Sequence, residues 1–487
     1  MSSASWRDAA LRRPELAIVL TSLALRLLTS LVLVATFHLV PSFDASAAVL
    51  SPPVSPLFQP FVRWDTVYYV RIAQDGYAQE QRLAFMPGLP GIMRGGGVLL
   101  AWLKGADSTT QEDLVLAGML ASAAATTAAA LALYRLTLLL LSSTPHALLT
   151  ALLFLLAPAR AVLHAVPYTE PFAAFFTFLG MLCFARGRHL LAALVWAAGT
   201  AFRAQGVVVG VGFFGWEFVL RRGWKGGRFS LRRLFTGILP FVLLSALSAT
   251  PFFAFQAYAY RQFCSTPTSP LRPWCTKSLG LSYDWVQTHY WDVGPFRYWT
   301  LQQLPNFVLA LPVFALSFAA SYSYYSSNVL PVLRSTVPFI PLPSPSPSRS
   351  RAAEARPFLN ESLIPYVHLH TATTLLLLVS SHVQIVLRVC ATGPTMWWFA
   401  ADLLLAGERE HEREREGEAD KEKDKDKDRA RRKKNEEGNE GRKEKEAATR
   451  RTRRRRNRNE WGRRWVAYCV VWGTVAVVLW ATFLPPA

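Results

Sequence analysis

Long apolar runs separated by short polar stretches set the pattern of this chain. Residues 16–40, 234–260, 371–389 and 465–483 are almost free of charge. Each run is close to the roughly 20 residues a helix needs to cross a bilayer. Further apolar runs at 114–141, 147–163 and 303–320, with shorter ones between them, predict an all-α polytopic membrane protein of about eleven transmembrane or membrane-embedded segments. The run 190–220 reads best as two short segments split at Ala201-Phe-Arg-Ala-Gln-Gly206. As a single helix it would carry Arg221, Arg222, Lys225, Arg228, Arg232 and Arg233 to the wrong side, because surplus Lys and Arg stay cytosolic.

The same rule orients the rest. Arg7, Arg12 and Arg13 place the N-terminus in the cytosol, and the first run reads as an uncleaved signal anchor. Residues 41–113 then form a first luminal loop, and 261–302 a luminal aromatic-polar loop. Residues 321–362 are a Pro/Ser-rich cytosolic loop, where Asn360-Glu-Ser362 would escape glycosylation. Residues 407–464 are a charged insert expected to be disordered, since alternating charge cannot bury enough apolar area to offset chain entropy. A catalytic membrane domain is left at 1–406 and 465–487.

Composition changes this picture little. The chain of 487 residues is 51% hydrophobic with a formal charge of +20. The stretch 408–464 holds 24 Lys and Arg against 17 Asp and Glu, leaving 29 against 16 elsewhere. The basic excess is therefore general, as the topology requires. No nucleic-acid module accompanies it, so nucleic acid is not an expected partner. Cys183, Cys390 and Cys469 lie in or beside apolar segments and read as core residues. Cys264 and Cys275 share one polar loop, where an oxidising lumen permits a disulfide. No P-loop and no Gly-rich dinucleotide turn is present, and Asp424–Asp428 is low-complexity sequence, so no metal or cofactor site is expected.

Chemistry concentrates in four luminal patches. Arg63-Trp64-Asp65 leads a stretch that reaches Asp75 and Glu80. Pro167-Tyr168-Thr-Glu170 forms the second patch, and Arg203 with Gln205 the third. Pro273-Trp-Cys275 followed by the block from Tyr283 to Phe307 forms the fourth. Acidic residues at a membrane boundary are costly and mark functional sites. Carboxylates accept hydroxyl protons, arginines clamp phosphates, and aromatic rings stack on sugar faces. The bland alternative is an interfacial aromatic belt.

These residues carry a resemblance. Trp64-Asp65, Ile72-Ala73, Gly76-Tyr77, Glu80, Tyr168-Thr-Glu170, Phe263-Cys264, Pro273-Trp-Cys275, Tyr290-Trp-Asp-Val-Gly294, Arg297-Tyr-Trp299 and Gln302-Gln-Leu-Pro-Asn-Phe307 are similar to the PIG-V family of GPI mannosyltransferases. The closing Phe483-Leu-Pro-Pro-Ala487 suits a fungal member. The likeness spans most of the chain outside the low-complexity loops. It departs where relatives tend to have His and this chain has Tyr68, and where they tend to have Arg-Ser-Asn-Gly and this chain has Arg203-Ala-Gln-Gly206.

The resemblance implies a GT-C-type glycosyltransferase of the endoplasmic reticulum membrane. Its donor would be dolichyl phosphate mannose and its product the second, α-1,6-linked mannose of the GPI anchor precursor. A small accessory membrane subunit and the glycolipid acceptor would be its partners, with no cofactor beyond the donor. Inversion at the sugar carbon then needs one base, with Asp65 and Glu80 as candidates. Trp64, Tyr168, Glu170, Arg203, Gln287, Trp291, Asp292, Arg297 and Tyr298 would bind the substrates. The rival readings are a related transferase with another acceptor, and a glycolipid transporter or scramblase. A transporter tends to show internal repeats, and none is evident.

Overall fold

The computed structural model describes residues 3–43, 50–221, 230–265, 272–336, 356–406 and 440–482, with side chains from residue 7 and, in the last stretch, from residue 458. Every ordered element among them is helical. A short α1 (Ser3–Arg12) leads into α2 (Pro14–Leu39), which carries Pro in its first turn where no backbone donor is needed. In the first polar region lie α3 (Asp65–Asp75) and the apolar α4 (Gly88–Leu103). Then comes α5 (Gln111–Leu141), started by a capping box in which Thr110 and Asp113 satisfy each other's backbone N–H.

Five shorter helices follow: α6 (Thr144–Leu155), α7 (Arg160–His164), α8 (Glu170–Ala185), α9 (His189–Thr200) and α10 (Gln205–Phe214), the last running on as a π-helical turn, Gly215–Arg221. Next stand α11 (Leu231–Cys264), α12 (Ser282–Trp291), α13 (Leu304–Ser327) and α14 (Val329–Thr336). The chain closes with α15 (Ile364–Ser380), α16 (Val386–Val389), α17 (Thr395–Leu405) and α18 (Glu440–Ala481).

Among the described residues, six helical stretches are long and apolar enough to cross a membrane: α2, α5, α11, Leu301–Ser327, Glu361–Ser380 and Arg458–Ala481. The remaining segments of the expected eleven are shorter. At 1.5 Å per residue, the 12 residues of α6 and of α9 span about 18 Å, little more than half the roughly 30 Å of hydrocarbon. This is a polytopic membrane protein, and its short helices end inside the bundle. Residues 190–220 divide as the charge rule requires, at the Ala201–Ala204 turn.

Two boundaries differ from the sequence reading. The last helix begins at Glu440, so the C-terminal 25 residues of the charged insert are helical; residues 407–439 lie outside the described residues. The Pro/Ser-rich stretch is ordered at both edges. α13 and α14 extend through its first part, and Asn360 is fixed by the Tyr324 hydroxyl and the Leu140 carbonyl. Only 337–355 fall outside the described residues.

The core sits where the short helices meet α5. One cluster joins α5, α6, α8, α13, α16 and α17 around Phe154, Phe178 and Trp397. A second joins α8, α9, α10, α15 and α17 around Trp196, Phe213 and Trp398. The outer faces of α2 and α11 carry exposed leucines and phenylalanines, as helices facing lipid do.

Candidate active site

Four chain segments converge on one charged cluster. Asp65 is the first residue of α3, at its positive end. The preceding Trp64 has φ 53°, a left-handed conformation that non-glycine residues rarely adopt and that accumulates at functional sites. The Asp65 backbone N–H donates to the Tyr168 hydroxyl at 3.2 Å. One turn on, Thr66 and Tyr69 bond the Pro167 carbonyl and the Thr169 hydroxyl, each at 3.4 Å. The motif Pro167-Tyr-Thr-Glu170 is thereby packed along α3.

Glu170, the first residue of α8, is only 1% exposed yet meets two guanidiniums. Arg203 Nη1 lies 2.5 Å from Glu170 Oε1 and 3.3 Å from Thr169 Oγ1. Arg388 Nη1 lies 3.6 Å from the same Glu170 oxygen and 3.2 Å from Asp65 Oδ2. Arg388 also covers the Tyr168 ring at 5.5 Å. The cluster thus alternates Asp65, Arg388, Glu170, Arg203, with formal charges that cancel.

Backbone contacts hold the arginines there. Arg203 stands in the α9–α10 turn, and the Gly88 N–H at the start of α4 donates to the Ala201 carbonyl of that turn at 2.7 Å. A β-carbon at position 88 would sit 2.7 Å from the same carbonyl oxygen, so this docking requires glycine. Gln205 reaches across to Thr392 at 3.0 Å, tying the turn to the segment just after α16, the short helix that carries Arg388.

Burial, and then the Asp65 charge, hold the Tyr168 phenol above its ordinary value, so it stays neutral. Burial works against the Arg388 charge, but the Glu170 and Asp65 carboxylates outweigh it and the guanidinium is held above its ordinary value.

The other expected residues are distributed differently. Tyr168 is fully buried and supports the Asp65 backbone rather than facing an open site. Glu80 is engaged by three donors: the Trp274 indole, the Tyr290 hydroxyl at 3.0 Å and Arg272 Nε at 3.3 Å. It fastens the 261–302 loop to the first polar region, next to the bonded Cys264–Cys275 pair. Asp292 and Arg297 form an exposed ion pair at 3.2 Å. Tyr298 stacks on His382 and bonds Gln384 at 2.9 Å. Gln287 is half-buried in α12, its carbonyl receiving the Asp292 and Val293 N–H groups.

Trp291 does reach α3. It meets Tyr68 and Phe85 edge-on at 6.2 and 5.9 Å, while Tyr68 and Phe85 stack at 4.8 Å. These rings form an aromatic wall running from the Asp65 helix to the 290s. Sequence reasoning missed Arg388 and Phe85 as site residues. The available signal for Arg388 was a lone arginine near the end of the apolar run 371–389.

The Mannosyltransferase (PIG-V) family model matches residues 15–487. The chain belongs to this family. It is 33% identical over 460 residues to GPI mannosyltransferase 2 of Cryptococcus neoformans, covering 92% of both chains. It is 32% identical over 420 residues to the GPI alpha-1,6-mannosyltransferase 2 of mouse, covering 78% of this chain and 82% of that one. An Archaeoglobus fulgidus oligosaccharyltransferase structure aligns with 96% of this chain and 56% of that chain, at a TM-score of 0.44 and 11% identity. As a PIG-V member the protein is a multi-pass membrane mannosyltransferase, and the Asp65–Arg388–Glu170–Arg203 cluster is the candidate active site of that PIG-V enzyme.

Proposed function

We propose that the enzyme adds the second, α-1,6-linked mannose to the GPI anchor precursor, taking it from dolichyl phosphate mannose at the luminal face of the endoplasmic reticulum. The relatives' names support the linkage and the acceptor class. The reaction proceeds by single displacement on a GT-C-type scaffold. A base takes the proton of the acceptor hydroxyl, the hydroxyl oxygen bonds to the sugar carbon, and the lipid phosphate leaves. No cofactor beyond the lipid-linked donor is required, and a small accessory membrane subunit is the expected partner.

Asp65 is the base. The observation that carries this is accessibility: its side chain is 34% exposed, against 1% for Glu170 and 12% for Glu80. Glu80 is further occupied by its three donors. The Tyr68–Phe85–Trp291 wall offers ring faces and edges for a sugar beside it, and Trp64 sits immediately before the base. Arg203 contributes positive charge near the departing phosphate, a form of electrostatic stabilisation. Arg297, exposed and paired with Asp292, is the less suited of the two arginines.

The test is transfer from dolichyl phosphate mannose to a mono-mannosylated precursor by the full-length D65N protein. A positioned base contributes about 10²–10⁴-fold, and loss on that scale with unchanged membrane insertion is expected. Wild-type-like transfer would sink the assignment. Accumulation of a different glycolipid on depletion would point to another acceptor.

A further inference from the structure

Arg388 touches the one carboxylate in the cluster that the reaction would neutralise. Its Nη1 bonds Asp65 Oδ2 at 3.2 Å, while its hold on Glu170 is looser, at 3.6 Å. Glu170 already has the shorter contact from Arg203, which bonds Thr169 as well. The Nε of Arg388 is buried with no acceptor. Arg388 thus spans two carboxylates, only one of which the reaction neutralises, whereas the one carboxylate that holds Arg203 is Glu170.

Charge balance shows what such a cation can do. The donor is a phosphodiester with one negative charge. When the acceptor oxygen bonds to the sugar carbon, the bond from that carbon to the phosphate oxygen breaks and its electron pair stays on the phosphate. The phosphate becomes a monoester with a second charge, while Asp65 takes the acceptor proton and loses its own. One unit of negative charge thus disappears from Asp65 and appears on the leaving group.

We infer that Arg388 is the counter-charge shared between these two places, pairing with Asp65 before transfer and with the departing lipid phosphate afterwards. This rests on the reading of Asp65 as base. Protonation of Asp65 releases the guanidinium at the step when the phosphate needs it, so proton transfer and leaving-group stabilisation are coupled through one side chain. Arg203, held by a carboxylate that does not change charge, would stay in place. The charged and titratable groups facing Arg388 are Asp65 from α3, Tyr168 from the α7–α8 connection, Glu170 from the start of α8, and Arg203 and Tyr69 through Glu170 and Thr169.

The experiment compares full-length wild type, R388Q, R388K and D65N, using dolichyl phosphate mannose, a mono-mannosylated precursor, and free dolichyl phosphate as product inhibitor. For R388Q, kcat should fall by about 10²–10³-fold, the scale of losing one preorganised donor to a developing oxyanion. The acidic limb of its kcat/KM profile should move up by about one to three pH units, because a positive charge beside the base is gone. Inhibition by dolichyl phosphate should weaken at least tenfold. R388K should return the acidic limb towards wild type.

A role confined to packing would lower activity but leave the acidic limb and product inhibition where they are, and that result overturns the inference. Should R388Q fail to accumulate, binding of free dolichyl phosphate by D65N decides: tighter binding than by wild type, as a guanidinium released from its carboxylate gives, supports the inference, and unchanged or weaker binding overturns it. If D65N is inactive while the R388 variants leave both readouts unmoved, only the inference fails. If D65N transfers normally, the reading of the base fails first.

Discussion

Asp65 and Glu80 belong to the same polar stretch and look interchangeable as letters, but their surroundings separate them. Glu80 receives the Trp274 indole, the Tyr290 hydroxyl and Arg272, so it acts as a fastener. Asp65 has one guanidinium partner and an open flank. E80Q, which keeps one carbonyl acceptor, should reduce transfer by less than about tenfold, well short of the 10²–10⁴-fold expected when a base is lost. It should also lower the thermal midpoint of the purified protein, and side-by-side transfer and unfolding curves for E80Q and D65N check both points. Asp65 was legible in the sequence because an acidic residue near hydrocarbon needs an explanation. Arg388 was not, because its partner lies 323 positions away and no local pattern reports such a contact. Tyr168 was legible as a member of a distinctive motif, but that its hydroxyl would turn inward to an N–H of α3 depends on packing that spacing does not encode.

At the scale of elements, run length was a sound guide to where helices form and a poorer guide to how far they reach. The runs 16–40, 114–141 and 234–260 became α2, α5 and α11, with ends within a few residues of the apolar boundaries, whereas α13 runs on to Ser327 and the run 371–389 is broken after Ser380. The run 147–163 instead breaks into α6 and α7 around Pro158, since proline removes a backbone donor and clashes with the preceding turn. Short helices bring the Glu170, Arg203 and Arg388 ends together in the interior. The 261–302 loop has few regular elements, and the Cys264–Cys275 bond fixes its start against the end of α11. Closing an 11-residue separation stabilises by about 3 kcal/mol in the chain-entropy picture. C264S/C275S should therefore make this loop a preferred site of limited proteolysis, with transfer reduced because Trp274 no longer holds Glu80 firmly. Unchanged cleavage kinetics would argue that the Glu80 contacts suffice alone.

Across the whole molecule, Asp402 is fully buried near the end of α17 and accepts from Arg356 at 3.1 Å and Arg458 at 2.5 Å. Those arginines come from the return of the Pro/Ser-rich stretch and from α18. Position 462 of α18 lies so close to Leu404 of α17 that a β-carbon there would meet its backbone nitrogen at 3.0 Å. The chain is therefore back beside α17 by Arg458 and Gly462, about 33 Å along α18 from its start at Glu440. Replacing 408–439 with a flexible linker of similar span between the described ends should leave transfer and thermal stability within experimental error of wild type. A large loss of either would show that the charge run has a role in the enzyme. The same closure has a practical meaning for the gene. A coding sequence for a foldable passenger, such as a fluorescent protein carried on flexible linkers long enough to reach Glu440, could be spliced between α17 and α18 without disturbing their register. A redox-sensitive version of that passenger would then report, through its excitation ratio, which compartment this face of the enzyme occupies in a living cell.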